Sequence, residues 1–281
     1  MIRILILSAL VSAAFMSSAY PQAPAREDTA RVILQNRMEN ENLRESSGLA
    51  ASRRVPGLIW TLNDSGNPPE LFATDSSGRD RGSFRVNVEE NRDWEAMALA
   101  RCGNTDCLYI GEIGDNGTRY PTVKIYRVVE PALSGTSGAS LATTGVIEYR
   151  YQDGPHNAEA ILVTPEQDVY IISKERSGGG RLYRLDHSTW EKREVATAMF
   201  VSALPLPDGL GFQVTDASLA SDGASVAVRT YSYIFFFRLD KGALVPDQAR
   251  KRCYAAGLDA QGEGIACAGE PLGGREDVGP A

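Results

Sequence analysis

The sequence predicts an all-β fold built from one repeated unit, and three observations predict it. Short runs of β-branched and aromatic residues recur between Gly, Asn, Asp and Pro turns, whereas helical periodicity is nearly absent. A motif in which a polar or acidic residue precedes a small residue and an apolar run occurs five times. Its intervals of 48, 64, 57 and 47 residues are close to the length of one propeller blade. We therefore predict a five-bladed β-propeller, with six blades as the alternative.

The repeated motif aligns one side chain in every unit. The aligned residues are Ser47, Glu95, Glu159, Asp216 and Glu263. In a closed ring these side chains converge on the axis, where carboxyl groups repel one another unless a cation lies among them. Oxygen donors without His or thiolate favour Ca²⁺ over zinc or copper. The sequence therefore predicts a central calcium site, and the alternative is that acids at strand starts cap turns by accepting backbone N–H bonds.

The other strands of each unit follow in order along the chain. The runs that predict them are Leu58–Leu62, Cys107–Ile110, Val123–Val128, Val146–Tyr151, Val169–Ile172, Arg181–Leu185, Ser225–Val228 and Ile234–Leu239. The apolar run after each aligned residue predicts a buried first strand, and the later alternating runs are typical of edge strands. Only 18 residues follow Glu263, so we expect residues 31–35 to supply a closing strand for the last blade.

Polar segments after the second strands are predicted to meet at the mouth of the channel. An antiparallel second strand ends at the face where the first begins, so these segments surround the aligned side chains. The predicted rim residues are Asp64, Asp115, Asn116, Lys174, Arg229 and Tyr231, with His156 at the mouth as an acid or base. Such a rim suits an anion beside a cation. The alternatives are that the segments are ordinary turns, that Lys174 and Arg229 only offset carboxylates, and that His156 is a loop residue.

The first residues have the features of a secretory signal. Arg3 precedes an apolar run from Ile4 to Met16, and residues 17–19 offer a small-residue cleavage site. We expect a signal peptide over residues 1–19, a linker over 20–30 and one propeller domain over 31–281, secreted or periplasmic. The apolar run is too short to span a bilayer. A net charge of −7 without basic runs argues against nucleic-acid binding.

Four cysteines in an exported chain predict two disulfides. Cys102 and Cys107 flank a hairpin-like turn, where paired strand positions come within bonding reach. By elimination, Cys253 is expected to pair with Cys267.

Several segments resemble a group of secreted bacterial β-propeller proteins, most of which carry no assigned activity. The resemblance is carried by residues 46–53, 60–66, 93–95 and 108–116. A more distant resemblance is to calcium-dependent nucleotidases of the apyrase type, five-bladed propellers whose central calcium is ringed by Ser and Glu residues. It implies that the five aligned residues ligate calcium, and Trp94-Glu95-Ala96 is similar to the second blade of that family. It supports the metal more than the reaction.

Two functions are consistent with these features. The first is a calcium-dependent hydrolase of a phosphorylated or otherwise anionic small molecule, with a carboxylate as base. The sequence has no Gly-x-Ser-x-Gly elbow, phosphate-binding glycine loop or His-rich metal motif that would favour other chemistry. The alternative is a non-catalytic binding or interaction module with a structural calcium. We expect a monomer whose partner is a small anionic ligand or a protein, with no nucleic acid and no membrane span.

Overall fold

The structure is a computed structural model that describes residues 37–133, 138–250, 252–254 and 263–268. The chain divides into two units, residues 1–31 and 32–281, and all of the described residues belong to the second. The predicted signal peptide, the linker and the expected closing strand at 31–35 lie outside the described residues. In the described part no helix has the length and hydropathy needed to cross a membrane.

Antiparallel meanders of four strands make up most of the described residues. The first meander is β1 (Ser46–Ala51), β2 (Leu58–Asn63), β3 (Glu70–Asp75) and β4 (Asp80–Val86). The second is β5 (Trp94–Cys102), β6 (Thr105–Glu112), β7 (Val123–Val129) and, after the two-residue β8 (Ser140–Leu141), β9 (Thr143–Tyr151). β8 itself pairs with β4 in parallel.

The next two meanders have the same order. The third is β10 (Ala158–Val163), β11 (Val169–Ser173), β12 (Arg181–Leu185) and β13 (Ala196–Ala203), with a 3₁₀ helix over His187–Glu191. The fourth follows a second 3₁₀ helix, Leu210–Phe212, and contains β14 (Val214–Leu219), β15 (Ser225–Thr230), β16 (Tyr233–Asp240) and β17 (Ala243–Pro246). A last strand, β18 (Cys253–Tyr254), pairs with β16.

The first strands of the four meanders lie side by side around one axis. β5 contacts β1 and β10, and β14 contacts β10 and β1. The second and third meanders also join at their outer edge, where Ala196–Ala198 of β13 pair in parallel with Tyr149–Tyr151 of β9, so these eight strands form a nearly closed sheet. Four-stranded meanders arranged radially define a β-propeller. The predicted fold class is confirmed.

A fifth inner segment lies between β14 and β1. The N–H of Ile265 donates to the Asp216 carboxylate on β14 at 2.7 Å, and Gly264 lies against Leu49 on β1. This is the place that the predicted fifth unit would occupy. Because the described part of that unit is limited to residues 263–268, the count of five blades stays a prediction.

The hydrophobic core fills the spaces between neighbouring blades. Trp60, Leu71 and Phe84 of the first blade pack with residues of the second, and two further clusters join the second to the third and the third to the fourth. Successive residues of β10 alternate between two of these clusters, and all six are buried. This two-sided burial explains why inner strands appear in the sequence as continuous apolar runs rather than alternating ones.

The small residue of the repeated motif has a packing role. A Cβ added at Gly48 would lie 2.5 Å from the backbone N of Met97 and 2.8 Å from the backbone C of Ala96. β1 therefore packs directly on the main chain of β5, at a separation that leaves no room for a side chain. The small residue of the motif is therefore required at Gly48, where the inner strands of the first two blades come close to each other.

Each inner strand begins with a β-bulge, in which one residue has no partner in the ladder. The unpaired residues are Ser47, Glu95, Glu159 and Thr215. A bulge redirects the side chain of the extra residue, and bulges are frequent next to functional sites. Three of the four are residues that the motif aligned. In β14 the extra residue is Thr215, and the aligned Asp216 pairs with Arg229 in the ladder.

Candidate functional site

The bulged side chains of adjacent blades meet at the start of the inner strands. Ser47 Oγ on β1 donates to Glu95 Oε2 on β5 at 2.9 Å. Ser47, Glu95 and Glu159 are 0%, 4% and 1% exposed, so two carboxyl groups and a hydroxyl are held almost out of water. Burial raises the pKa of Glu95 well above its usual range, and the neighbouring acids Glu159, Asp64 and Asp93 raise it further.

Two more carboxyl groups join Glu95 from the loops beside it. Asp64 follows β2, and Asp93 comes directly before β5. One carboxylate oxygen from each of Asp64, Asp93 and Glu95 lies within 4.8 Å of the others. Burial, followed by the nearby Asp64, raises the pKa of Asp93 to about 6. We call Asp64, Asp93 and Glu95 the acidic triad.

Gly114 forms one wall of the acidic triad. A Cβ at this residue would lie 2.5 Å from Asp93 Oδ2 and 2.7 Å from Glu95 Oε1. Its N–H donates to the Asp93 carbonyl at 3.2 Å, so the main chain after β6 is bound directly to the loop that carries the triad. Only a residue without a side chain lets both carboxyl groups approach the backbone in this way.

Lys174 forms an ion pair with Glu159, the aligned carboxyl group of the third blade. Its Nζ lies 3.0 Å from Glu159 Oε1, and Asn157 Nδ2 donates to the same oxygen at 3.0 Å. Burial raises the pKa of Glu159, and Lys174 opposes this effect. For Lys174, burial alone would lower the pKa, but Glu159 and Tyr231 raise it above its usual value. The ammonium group also lies 4.9 Å from the centre of the Tyr231 ring.

Glu263 and Asp216 lie on the side of the fifth segment, and their surroundings differ. The pKa of Glu263 is raised by burial, and Lys174 and Asp64 are among the charges that act on it. Asp216 is 0% exposed, and its carboxylate accepts N–H bonds from Ala217 and Ile265 at 2.7 Å each. Burial raises the pKa of Asp216, and Arg229 is the neighbouring charge that opposes it. Asp216 therefore ties two inner segments together through their backbone.

Two predicted rim residues have structural partners. Arg229 donates to the carbonyl oxygens of Glu263 and Gly264 at 3.0 and 2.9 Å, which fastens the fifth segment to β15. The Asp115 carboxylate accepts the N–H groups of Arg119 and Tyr120, both at 2.8 Å, so it closes its own turn. These contacts hold both side chains in place.

Asn157 connects the predicted rim residues Asp115 and Asn116 to Glu159. Its Oδ1 accepts the N–H of Asp115 at 2.6 Å, while its Nδ2 is 3.3 Å from Asn116 Oδ1 and bonds to Glu159. The sequence reasoning missed Asn157 and also Asp93, although both stand two positions before an aligned glutamate. Their common position, two residues before an aligned glutamate, is the sequence feature that would have identified them as site residues.

His156 belongs to a polar network with Asp153, Tyr183 and Glu175. Its Nε2 lies 3.0 Å from Asp153 Oδ1 and 2.8 Å from the Tyr183 hydroxyl, and its Nδ1 is 3.9 Å from Glu175 Oε1. The side chain is 16% exposed. The histidine is therefore held in place by Asp153 and Tyr183, near Glu175, and its side chain is partly exposed.

The cysteines follow the predicted pattern in one of two pairs. Cys102 and Cys107 form a disulfide across the β5–β6 hairpin, as predicted. Cys253 and Cys267 are not joined, because Cys253 pairs with the third strand of its blade and Cys267 lies beside the first. Strands about 4.8 Å apart place those positions beyond disulfide reach. The Cys267 Sγ instead lies 3.6 Å from the Ser218 carbonyl oxygen.

No protein-family model and no curated protein matches the chain. Among solved structures, the Dos1 propeller is 14% identical with a TM-score of 0.37 over 72% of this chain, which spans about half (48%) of that chain. A functionally unknown protein from Desulfotomaculum acetoxidans is 15% identical with a TM-score of 0.44, covering 77% and 58% of the two chains. A PQQ-bound aldose sugar dehydrogenase from Streptomyces coelicolor is 11% identical with a TM-score of 0.48, covering 85% and 89%.

Proposed function

We propose that this protein is an exported β-propeller that binds a calcium ion at the mouth of its central channel. The observation that carries the proposal is the acidic triad, in which oxygens of Asp64, Asp93 and Glu95 lie within 4.8 Å of one another. Ser47, Glu159 and Glu263 are further oxygen donors beside it. We leave Asp216 out of this set, because its carboxylate is occupied by backbone N–H groups.

The donor set fits calcium by its chemistry. All of the groups are oxygens, and hard oxygen ligands favour Ca²⁺ or Mg²⁺ over zinc and copper. Burial, and after it the charges of the neighbouring acids, raises the pKa of Asp93 and Glu95. A bound cation would offset both effects by stabilising the charged carboxylates. Several protein carboxylates without an imposed octahedron favour calcium over magnesium. The Cys102–Cys107 disulfide agrees with export, because such bonds form and persist in oxidising compartments.

The mouth of the channel supports binding of an anionic small molecule beside the ion. A bound calcium ion would neutralise the triad and polarise an anionic oxygen of a ligand. Lys174 adds a second cationic group 3.0 Å from Glu159, and its side chain is 14% exposed. His156, fixed by Asp153 and Tyr183, could hold or transfer a proton there. These groups favour a calcium-dependent hydrolase of a phosphorylated or otherwise anionic small molecule.

A structural role for the ion is the second candidate, and one observation favours it. The Ser47–Glu95 bond joins β1 to β5, so an ion held at Glu95 would tie neighbouring blades together. In that case the protein is a non-catalytic binding module, and loss of calcium would reduce its stability without changing any chemistry.

Calcium binding is tested by isothermal titration calorimetry on the chelator-treated mature protein. We expect saturable binding by the wild type, and at least tenfold weaker binding by Glu95→Gln. The matched control is Glu166→Gln, which removes an exposed carboxylate from a turn outside the site. Equal affinities for all three proteins, or no heat of binding in the wild type, would refute the calcium site.

The two functional readings are separated by a phosphate-release assay over a panel of phosphorylated small molecules. A hydrolase should lose activity in Lys174→Gln while retaining calcium affinity within a few fold, and the exposed Lys192→Gln should behave as wild type. Arg229 is unsuitable for this test, since it fastens the fifth segment. Calcium binding without phosphate release from any member of the panel would favour the structural reading.

A further inference from the structure

A cavity lies at the end of the channel opposite the acidic triad. It is about 480 Å³ in volume and is lined by the last residues of β1, β5, β10 and β14 and by residues 266–268 of the fifth segment. Sites for small organic ligands commonly measure about 300–1,000 Å³. The same five inner segments that begin at the carboxyl groups therefore end around a space of ligand size.

The wall of this cavity is apolar. Its large apolar side chains include Leu49, Met97, Leu99, Ile161, Val163 and Leu219. Cavities lined by such groups hold water poorly, because water needs two to four polar partners. An apolar molecule that fills the space would gain contacts with all of the described inner strands.

One charged residue, Arg53, stands among the described residues that line the cavity. Its Nη1 lies 4.0 Å from Asp106 Oδ1, which is too long for a hydrogen bond, and its side chain is 36% exposed. The guanidinium therefore keeps donors for a further anion. The two ends of the channel are opposite in character, since one collects carboxyl groups and the other combines an apolar wall with a single cation.

We propose that this apolar end binds a small amphiphile with one anionic head group, such as a medium-chain carboxylate. The head group would meet Arg53, and the hydrocarbon would lie against Met97 and Leu99. At roughly 30 Å³ for each water-sized group, the cavity has room for a chain of about ten carbons and its carboxylate.

Decanoate is the probe, titrated into the mature protein by calorimetry with and without a calcium chelator. We expect saturable binding that the chelator does not change, which separates this site from the acidic triad. Leu99→Trp fills the cavity and should weaken binding at least tenfold, whereas Leu210→Trp, at a residue 74% exposed and outside the cavity, should bind as wild type. Arg53→Gln should weaken decanoate about fivefold and leave 1-decanol unchanged. No decanoate binding, equal binding by both Trp variants, or equal loss of decanol and decanoate would overturn the proposal.

Cys267 gives a second readout that needs no change in the wall. It lines the cavity, so a bound chain should cover its Sγ. In a Cys253→Ser background, the rate at which a thiol reagent modifies Cys267 should fall at least fivefold at saturating decanoate, and it should not change with acetate at the same concentration, which has the carboxylate but lacks the hydrocarbon chain. An unchanged rate with decanoate would contradict the assigned location.

Discussion

Replacement of Gly114 with Ala tests whether the two carboxyl groups against it help to hold the cation. The added Cβ would lie 2.5 Å from Asp93 Oδ2 and 2.7 Å from Glu95 Oε1, whereas ordinary contact begins at 3.4 Å. Both oxygens must therefore move by about 0.7–0.9 Å. Metal sites tolerate errors of about 0.2 Å in ligand distance, so a shift of this size should remove one or both ligands from their places.

The expected loss of calcium affinity is roughly 10–100-fold, comparable to other changes that misplace a ligand. At a fixed calcium concentration well above Kd, this corresponds to about 1.4–2.7 kcal/mol of calcium-dependent stability. For a domain of this size, the calcium-induced rise in Tm should be about 3–10 °C smaller than in the wild type. The assay is thermal unfolding of each protein with chelator and with saturating calcium.

Gly111→Ala is the matched control. Its Cβ would meet the buried Ile113 side chain at 3.1 Å and the Ala96 side chain at 3.4 Å, and no atom of the triad is nearer than these. This variant can lose general stability through overpacking, by about 1–3 kcal/mol, but its calcium-induced rise should equal that of the wild type. If Gly114→Ala retained the full rise, Asp93 and Glu95 would not be ligands, and the assignment of the acidic triad would fail.

Three further predictions concern stability away from the cation. Ser225 lowers the pKa of Asp222 to about 2 by donating from its hydroxyl and its N–H. The charged carboxylate therefore adds its full contribution to the free energy of unfolding above about pH 4, and this contribution is lost as the pH falls towards 2. In chemical denaturation, the difference in unfolding free energy between wild type and Asp222→Asn should shrink over that pH range. Trp60→Phe removes the indole N–H that donates to buried Glu130 at 3.0 Å, and should lower the free energy of unfolding by about 1–3 kcal/mol, less when Glu130→Gln is also present. The double variant Cys102→Ala/Cys107→Ala opens a short loop and should cost at most about 2 kcal/mol in urea unfolding, whereas an inability to fold would contradict this estimate.

The strands could be predicted wherever one segment carries its own pattern. The run Val123–Val128 alternates and became β7, and Val169–Ile172 is continuously apolar and became the fully buried β11. β3 was not predicted, because its residues 70–75 mix charged, apolar and small side chains and acquire their order from the strands on either side. β8 and β18 are two residues long, and pairing with distant strands alone defines them.

The aligned residues of the first three units were predictable because a repeated fold repeats its local geometry. Ser47, Glu95 and Glu159 all stand at the bulge that opens an inner strand. In β14 the bulged residue is Thr215 and the aligned Asp216 pairs in the ladder, because a one-residue shift in a strand changes which side chain leaves the ladder. Register depends on the partner strand, which a motif in one segment does not reveal.

The roles of the charged rim residues were the least predictable part of the site. Lys174 and Arg229 were both predicted to lie in polar segments after a second strand, but only Lys174 does so, directly after β11, where it pairs with Glu159. Arg229 lies within β15 and binds two backbone carbonyl groups. The difference arises from the fifth segment, which passes within reach of Arg229. Residues 217 and 265 likewise supply the N–H groups that occupy Asp216. Contacts between units that are far apart in sequence decide these roles.

The central claim is that the folded protein binds calcium at the acidic triad, and its most direct test is the melting temperature of the chelator-treated mature protein. Calcium at about 100 times its Kd should add about 2.7 kcal/mol of stability, which corresponds to a rise of roughly 5–10 °C. The same concentration of Mg²⁺ should give a smaller rise, and Glu95→Gln should lose most of the calcium effect. A melting temperature that does not change with calcium, in wild type and Glu95→Gln alike, would contradict the account.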